Sequence, residues 1–167
     1  MMAIQSLRTD DCVDEVIDKY SNMVYRLALA HMKNKQDAED VFQDVFLRYI
    51  SKIRTFESEE HRKAWLIRVT INRSHSIWAA WFRKTEPLDD SLVTETKEEN
   101  DLTEYLALLP QKYRSVIHLF YYEELSIKQI SEILDAKEST VRTWLTRARS
   151  ILGEKLRGGP LDGQECL

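Results

Sequence analysis

The residues with the clearest chemistry lie near the end of the chain. Arg142, Thr143, Thr146 and Arg149, with Arg147 to one side, are interleaved with Val141, Leu145, Ala148 and Leu152, which recur at steps of four, three and four. Burying that apolar row in a helix turns the basic and hydroxyl row outwards. Guanidinium groups read guanine edges or hold phosphates, and hydroxyls bind phosphates or base edges. Lys155 and Arg157 continue the charge. The chemistry on offer is nucleic-acid binding, although arginines on any solvated helix face give the same local pattern.

The preceding residues supply the frame for that row. Pro110 suits a first helical position, and Tyr113, Val116, Ile117, Phe120 and Tyr121 mark a supporting helix. Ser126, with Gln129 three residues on, makes a capping box ahead of Ile127, Ile130, Ile133 and Leu134. Asp135 to Glu138 is a turn, in which Asp135 best tolerates the left-handed conformation. Ser139 or Thr140 then starts the second helix. Two short helices, a four-residue turn and a glycine-free basic second helix make residues 126–152 a helix-turn-helix aimed at a DNA major groove.

A second concentration of chemistry lies upstream. Residues 61–84 hold Arg62, Lys63, Arg68, Arg73, Arg83 and Lys84 with no acid, and Trp65, Trp78 and Trp81 fall in the same stretch. Trp65 reads as core, whereas the segment from Asn72 to Trp81 reads as an exposed aromatic and basic surface able to stack unpaired bases. Two helices precede it. Val13, Val16, Ile17, Tyr20, Met23, Val24 and Leu27 mark the buried face of the first. After the polar turn Lys33-Asn34-Lys35, Ala38, Val41, Phe42, Val45, Phe46, Tyr49, Ile50 and Ile53 mark that of the second. Asp37, Asp40, Gln43, Asp44 and Arg48 fall on its other side, and residues 55–60 read as a polar loop.

Composition limits the alternatives. The 167 residues permit one medium domain or two small ones. All four glycines (Gly153, Gly158, Gly159, Gly163) come late, which disfavours glycine-dependent hairpins and phosphate loops. No apolar run approaches the roughly 20 residues of a membrane span, so a cytoplasmic protein without stable membrane insertion is expected. Cys12 and Cys166 read as free thiols, with no metal or cofactor site. His31, His61, His75 and His118 are scattered with no nucleophile beside them, so no catalytic residues and no enzyme are expected. Net charge is −4, yet residues 85–109 hold eight acids against Lys97 alone, so an acidic spacer separates two basic regions. Residues 86–101 carry almost nothing apolar and read as a flexible linker reaching about 50 Å when extended.

The chain as a whole resembles the extracytoplasmic-function subgroup of the bacterial sigma-70 family of RNA polymerase sigma factors. The likeness rests on Asp37-Ala38-Glu39-Asp40-Val41-Phe42-Gln43-Asp44-Val45-Phe46-Leu47 and Trp65-Leu66-Ile67-Arg68-Val69-Thr70-Ile71-Asn72-Arg73. It rests also on Leu109-Pro110 followed by Thr140-Val141-Arg142 and Arg147-Ala148-Arg149. The resemblance implies an all-α fold of two small helical modules joined by a flexible acidic linker, the C-terminal one a helix-turn-helix. Residues 1–85 would be region 2, 86–101 the linker, 102–157 region 4 and 158–167 a tail.

It further implies that Asp37, Asp40, Gln43 and Asp44 dock on the clamp helices of the largest subunit of core RNA polymerase. Asn72, Arg73, Ser74 and His75, with Trp78, would form a loop and helix holding a flipped base of the promoter minus-ten element. Ser139, Thr140, Arg142, Thr143, Thr146, Arg147 and Arg149 would meet the minus-thirty-five element. An anti-sigma factor is an implied partner. Trp144 stands where the family usually has a basic residue, and by periodicity it borders the core row. The residues alone also fit a stand-alone regulator using only the helix-turn-helix, or an interaction module without DNA contact.

Overall fold

The computed structural model describes residues 7–8, 13–32, 34–51, 54–84, 106 and 108–157. The chain divides into two compact units, Met1–Thr96 and Lys97–Leu167, and each is treated by itself. The expected linker 86–101, the tail 158–167, Cys12, Cys166 and Ile53 lie outside the described residues, as do the side chains of Trp81 and Phe82.

The described residues of the first unit include three helices, α1 (Val13–His31), α2 (Lys35–Ser51) and α3 (Glu59–Lys84). Asn34 starts α2 as a reciprocal cap: its side-chain carbonyl accepts from the Asp37 backbone at 2.7 Å and its amide donates to the Asp37 carboxylate at 2.9 Å. The apolar rows converge, with Val24, Leu27, Ala38, Val41, Val45, Tyr49, Leu66 and Ile67 sealed from water. Ile50 departs from its expected row: it is exposed, because it falls past the edge of the stripe set by Val45, Phe46 and Tyr49.

Residues 55–60 are not a polar loop. Thr55–Phe56 pair antiparallel with Leu7–Arg8, the one strand pairing among the described residues, and α3 begins at Glu59. Phe56 is buried, stacked on Tyr49 with centroids 6.2 Å apart and edge-on to Trp65 at 6.0 Å. Trp65 joins that cluster, half-buried, with the Arg54 guanidinium 4.5 Å above its ring. Glu59 fastens the start of α3 to α1. It accepts from the Tyr20 hydroxyl at 2.6 Å, lies 3.6 Å from Lys19 and pairs with Arg62 at 2.6 Å. Burial pushes its carboxyl up, but the Tyr20 hydrogen bond and the Arg62 and Lys19 charges outweigh that and hold it below the ordinary 4.5. Burial first, and then Glu59 itself, push the Tyr20 phenol well up.

The second unit holds α4 (Gln111–Ile117), a π-helical turn (His118–Tyr122), α5 (Ile127–Leu134) and α6 (Glu138–Arg157). Pro110 stands just before α4, as its N-cap. Arg114 is buried and donates to the Leu106 and Leu109 carbonyls at 2.9 and 2.8 Å, fixing the chain ahead of Pro110. The supporting helix differs from expectation after Ile117. The extra residue of the π-turn shifts the inward positions, so His118 and Leu119 are buried, Phe120 is half-buried and Tyr121 is exposed. Glu124, with φ 53°, ends the turn.

Candidate nucleic-acid interface

The helix-turn-helix is built as its residue types demand. Ser126 Oγ accepts from the Gln129 backbone at 3.1 Å while the Gln129 side chain accepts from the Ser126 backbone at 2.9 Å, completing the capping box. Asp135 closes α5 in the left-handed conformation, φ 52° and ψ 50°. Helix α6 starts at Glu138, a residue earlier than expected, because the Lys137 carbonyl already accepts from Val141. Val141, Leu145 and Ala148 are buried against α5 and α4, and Leu152 is half-buried.

That packing exposes Ser139, Arg142, Thr143, Thr146, Arg147 and Arg149 together, with Thr140 half-buried. The Thr143 and Thr146 hydroxyls donate to the Ser139 and Arg142 carbonyls at 3.0 and 2.9 Å, which fixes both side chains on the exposed face. Arg142 lies 4.0 Å from Glu138, a loose pair in water. Arg149 is held at the edge of the face. Its Nε donates to the Tyr121 hydroxyl at 2.6 Å and its guanidinium lies over the Phe120 and Tyr121 rings. Sequence periodicity assigned Tyr121 to the core and missed this contact; the π-turn that creates it leaves no simple signature. Trp144 is half-buried at the opposite edge, and the Lys112 ammonium stands 5.9 Å from its ring centroid. A cation from α4 therefore lies beside the position where the recognition helix has none.

In the first unit α3 runs unbroken through Asn72–Ser76, so there is no loop at Asn72. The segment lacks Gly and Pro, and Thr70, Ser74 and Ser76 each donate to the carbonyl four residues back, keeping the helical course. The five expected strand-binding residues are consequently divided. Asn72 and His75 are exposed, and Arg73 is half-buried with its Nε 2.7 Å from Asp44. Ser74 is buried with its hydroxyl on the Thr70 carbonyl, turned away from Asn72 and His75. Trp78 is half-buried and donates to the His31 carbonyl, tying α3 to the end of α1. Of the six basic residues expected on this surface, Arg62 is buried beside Glu59.

On α2 the expected partner stripe is solvated, with Asp40 and Gln43 exposed and Asp37 and Asp44 half-buried. Leu47, at 64% exposure, has no role in the sequence pattern beyond its place in the matching motif. With Gln36, Asp40, Gln43 and Ile50 it completes an outward row at steps of four, three, four and three. Among the described residues no group of His, Cys, Asp and Glu is placed to hold a metal, and no helix is long and apolar enough to cross a membrane.

Comparison with known proteins agrees with this arrangement. The family model for sigma-70 region 2 matches residues 16–85 and that for sigma-70 region 4 matches residues 99–152. SigM of Bacillus subtilis, an ECF RNA polymerase sigma factor, is 31% identical over 154 residues, covering 84% of this chain and 92% of its own. SigW of the same organism is 29% identical over 168 residues, covering 88% and 90%. Among solved structures, the sigma factor RpoE of Bartonella quintana, crystallised with the anti-sigma factor NepR, shares the fold with a TM-score of 0.72. It is 20% identical, and the match covers 87% of this chain and 96% of that one. Two region models in order along the chain, and a relative matched over nearly its whole length, show that this chain belongs to the extracytoplasmic-function group of the sigma-70 family.

Proposed function

We propose that this chain is the promoter-selecting subunit of RNA polymerase, binding the core enzyme through α2 and reading promoter DNA with both units. The observation that carries this is the α6 face. Basic and hydroxyl side chains from Ser139 to Arg149 are exposed as one row on a helix whose other side is sealed by Val141, Leu145 and Ala148. That row enters the major groove of the minus-thirty-five element, Arg142 and Arg147 meeting guanine edges or phosphates and the threonines the base edges between them.

The outward row of α2 docks on the clamp helices of the polymerase. Its spacing of four and three fits a helical partner, with Leu47 and Ile50 as apolar contacts beside Asp40 and Gln43. Asn72, Arg73 and His75 on α3 receive the separated strand of the minus-ten element, while Ser74 and Trp78 hold the helix that presents them. The net charge of −4 opposes DNA, so tight promoter binding requires the polymerase to align both readers. The protein acts in the cytoplasm by binding rather than by catalysis. An anti-sigma factor restrains it; the RpoE structure of the same fold is described in complex with such a partner.

Run-off transcription with purified core polymerase tests this. Promoter-specific starts are expected with the wild-type chain and their loss with the Arg142→Ala, Arg147→Ala double variant. Absence of specific initiation on every genomic fragment, or a tight footprint without polymerase, overturns it.

A further inference from the structure

An acid assigned to polymerase docking and an arginine assigned to the DNA strand meet in one ion pair. Asp44 Oδ2 lies 2.7 Å from Arg73 Nε across the boundary between α2 and α3, and 3.1 Å from Arg48 Nε on its own helix. Both arginines end on the same oxygen. The Arg48 contact is a hydrogen bond one helical turn away, so Arg48 braces the carboxylate that holds Arg73.

The geometry at Arg73 leaves it usable. Its Nε is sealed from solvent, while 36% of the side chain stays exposed. The Nε–H points off the line to the carboxylate, so charge rather than hydrogen-bond alignment holds the pair. A guanidinium carries five donors in a rigid fork, and a carboxylate beside Nε leaves the terminal amino groups to meet an anion. One carboxylate between two arginines also leaves the cluster with net charge of one positive, so the site still attracts phosphate. A side chain already fixed gives up less rotamer freedom on binding than a free one.

We propose that Asp44 is a positioning residue for Arg73: braced by Arg48, it fixes the guanidinium so that its outer donors meet the backbone of the separated DNA strand. This rests on the assignment of α3 to strand capture, and it gives Asp44 a part separate from polymerase docking. The acidic stripe of α2 and the strand-facing stretch of α3 are thereby joined through one carboxylate.

The test uses holoenzyme at saturating factor and a forked promoter fragment whose minus-ten strand is already unpaired. Affinity is measured across a salt series, and affinity for core polymerase is measured separately without DNA. Asp44→Asn is expected to weaken fork binding about fivefold to tenfold and to reduce the salt slope by about 0.7, the share of one single-strand phosphate. Arg73→Ala should do the same, the double variant should be no weaker than Arg73→Ala alone, and Asp44→Glu should recover part of the loss. Glu39→Gln, an equal change of net charge at an exposed site outside the pair, should keep the wild-type slope.

Fork affinity and slope unchanged in Asp44→Asn, with only core affinity reduced, would overturn the proposal. So would single losses that multiply in the double variant, or a gain of fork affinity, which would mean that Asp44 restrains Arg73 instead of presenting it. A wild-type holoenzyme that forms normally on core polymerase yet ignores the fork altogether refutes the strand-capture assignment itself, and that outcome is seen before any variant is compared.

Discussion

Two single residues carry conformations or charges whose consequences can be measured. Glu124 adopts φ 53° without the short polar side chain that eases Asp135 into the same region. Left-handed backbone costs an ordinary residue about 1–2 kcal/mol, partly offset by the entropy a glycine would lose on folding. Glu124→Gly should therefore stabilise the C-terminal unit by roughly 0.5–1 kcal/mol, read as a higher denaturant midpoint at unchanged m-value, and Asp135→Gly by less. Glu59 has its carboxyl held below the ordinary value in the folded chain. Its contribution to stability is complete above pH 4.5 and is lost as the pH falls through the lower folded value. Unfolding curves of Glu59→Gln should show lower stability at neutral pH and a flatter acid limb than the wild type.

At the scale of the helix, α5 is short enough that its cap matters. Its eight residues are anchored by the Ser126 and Gln129 exchange at one end and by Asp135 at the other. Ser126→Ala removes an acceptor and should cost about 1 kcal/mol, seen as faster amide exchange over α5. Ser126→Asp should retain most of the protection. Helix α6 gives the matching functional prediction. Arg142→Ala should weaken promoter binding by about 1–3 kcal/mol if it meets a base edge, and relax the preference at that base. Arg149→Ala should behave differently, because its guanidinium is braced by Tyr121 and Phe120; some of its loss should reappear in Tyr121→Phe, which keeps the ring and removes the hydrogen bond.

For the whole molecule, the distribution of charge decides what a net −4 means. Seven acids lie between residues 86 and 101, apart from the basic faces of α3 and α6. By charge alone such a stretch repels duplex DNA, and the reading proposed for it is a path along polymerase cations that otherwise meet nucleic acid. Replacing those seven acids by serine is expected to leave recruitment to duplex promoter intact and to lower the yield of initial transcripts. Equal abortive and run-off yields from the two proteins would remove the linker from the mechanism.

Periodicity was enough to define the helices, because burial of one face per helix is a local demand written in steps of three and four. Ser126, Gln129 and Asp135 specified the helix-turn-helix for the same reason: caps and left-handed turns depend on neighbours a few residues away. What periodicity could not reach is where the chain breaks its own rhythm or meets a distant segment. The π-turn at His118–Tyr122 displaced Tyr121 from core to surface and gave Arg149 its partner. Phe56 is apolar but isolated in a polar stretch, and only the pairing with Leu7–Arg8 and the Tyr49–Trp65 cluster explains its burial. Asn72–Ser76 read as a loop and helix by resemblance, whereas the hydroxyl bonds of Thr70, Ser74 and Ser76 keep one helix and turn Ser74 inwards. The sequence by itself determined the two helical units, the outward row of α6 and the family. Only the tertiary structure decided that Asp44 faces Arg73, since residues 29 positions apart become neighbours through the packing of α2 on α3, which no local pattern encodes.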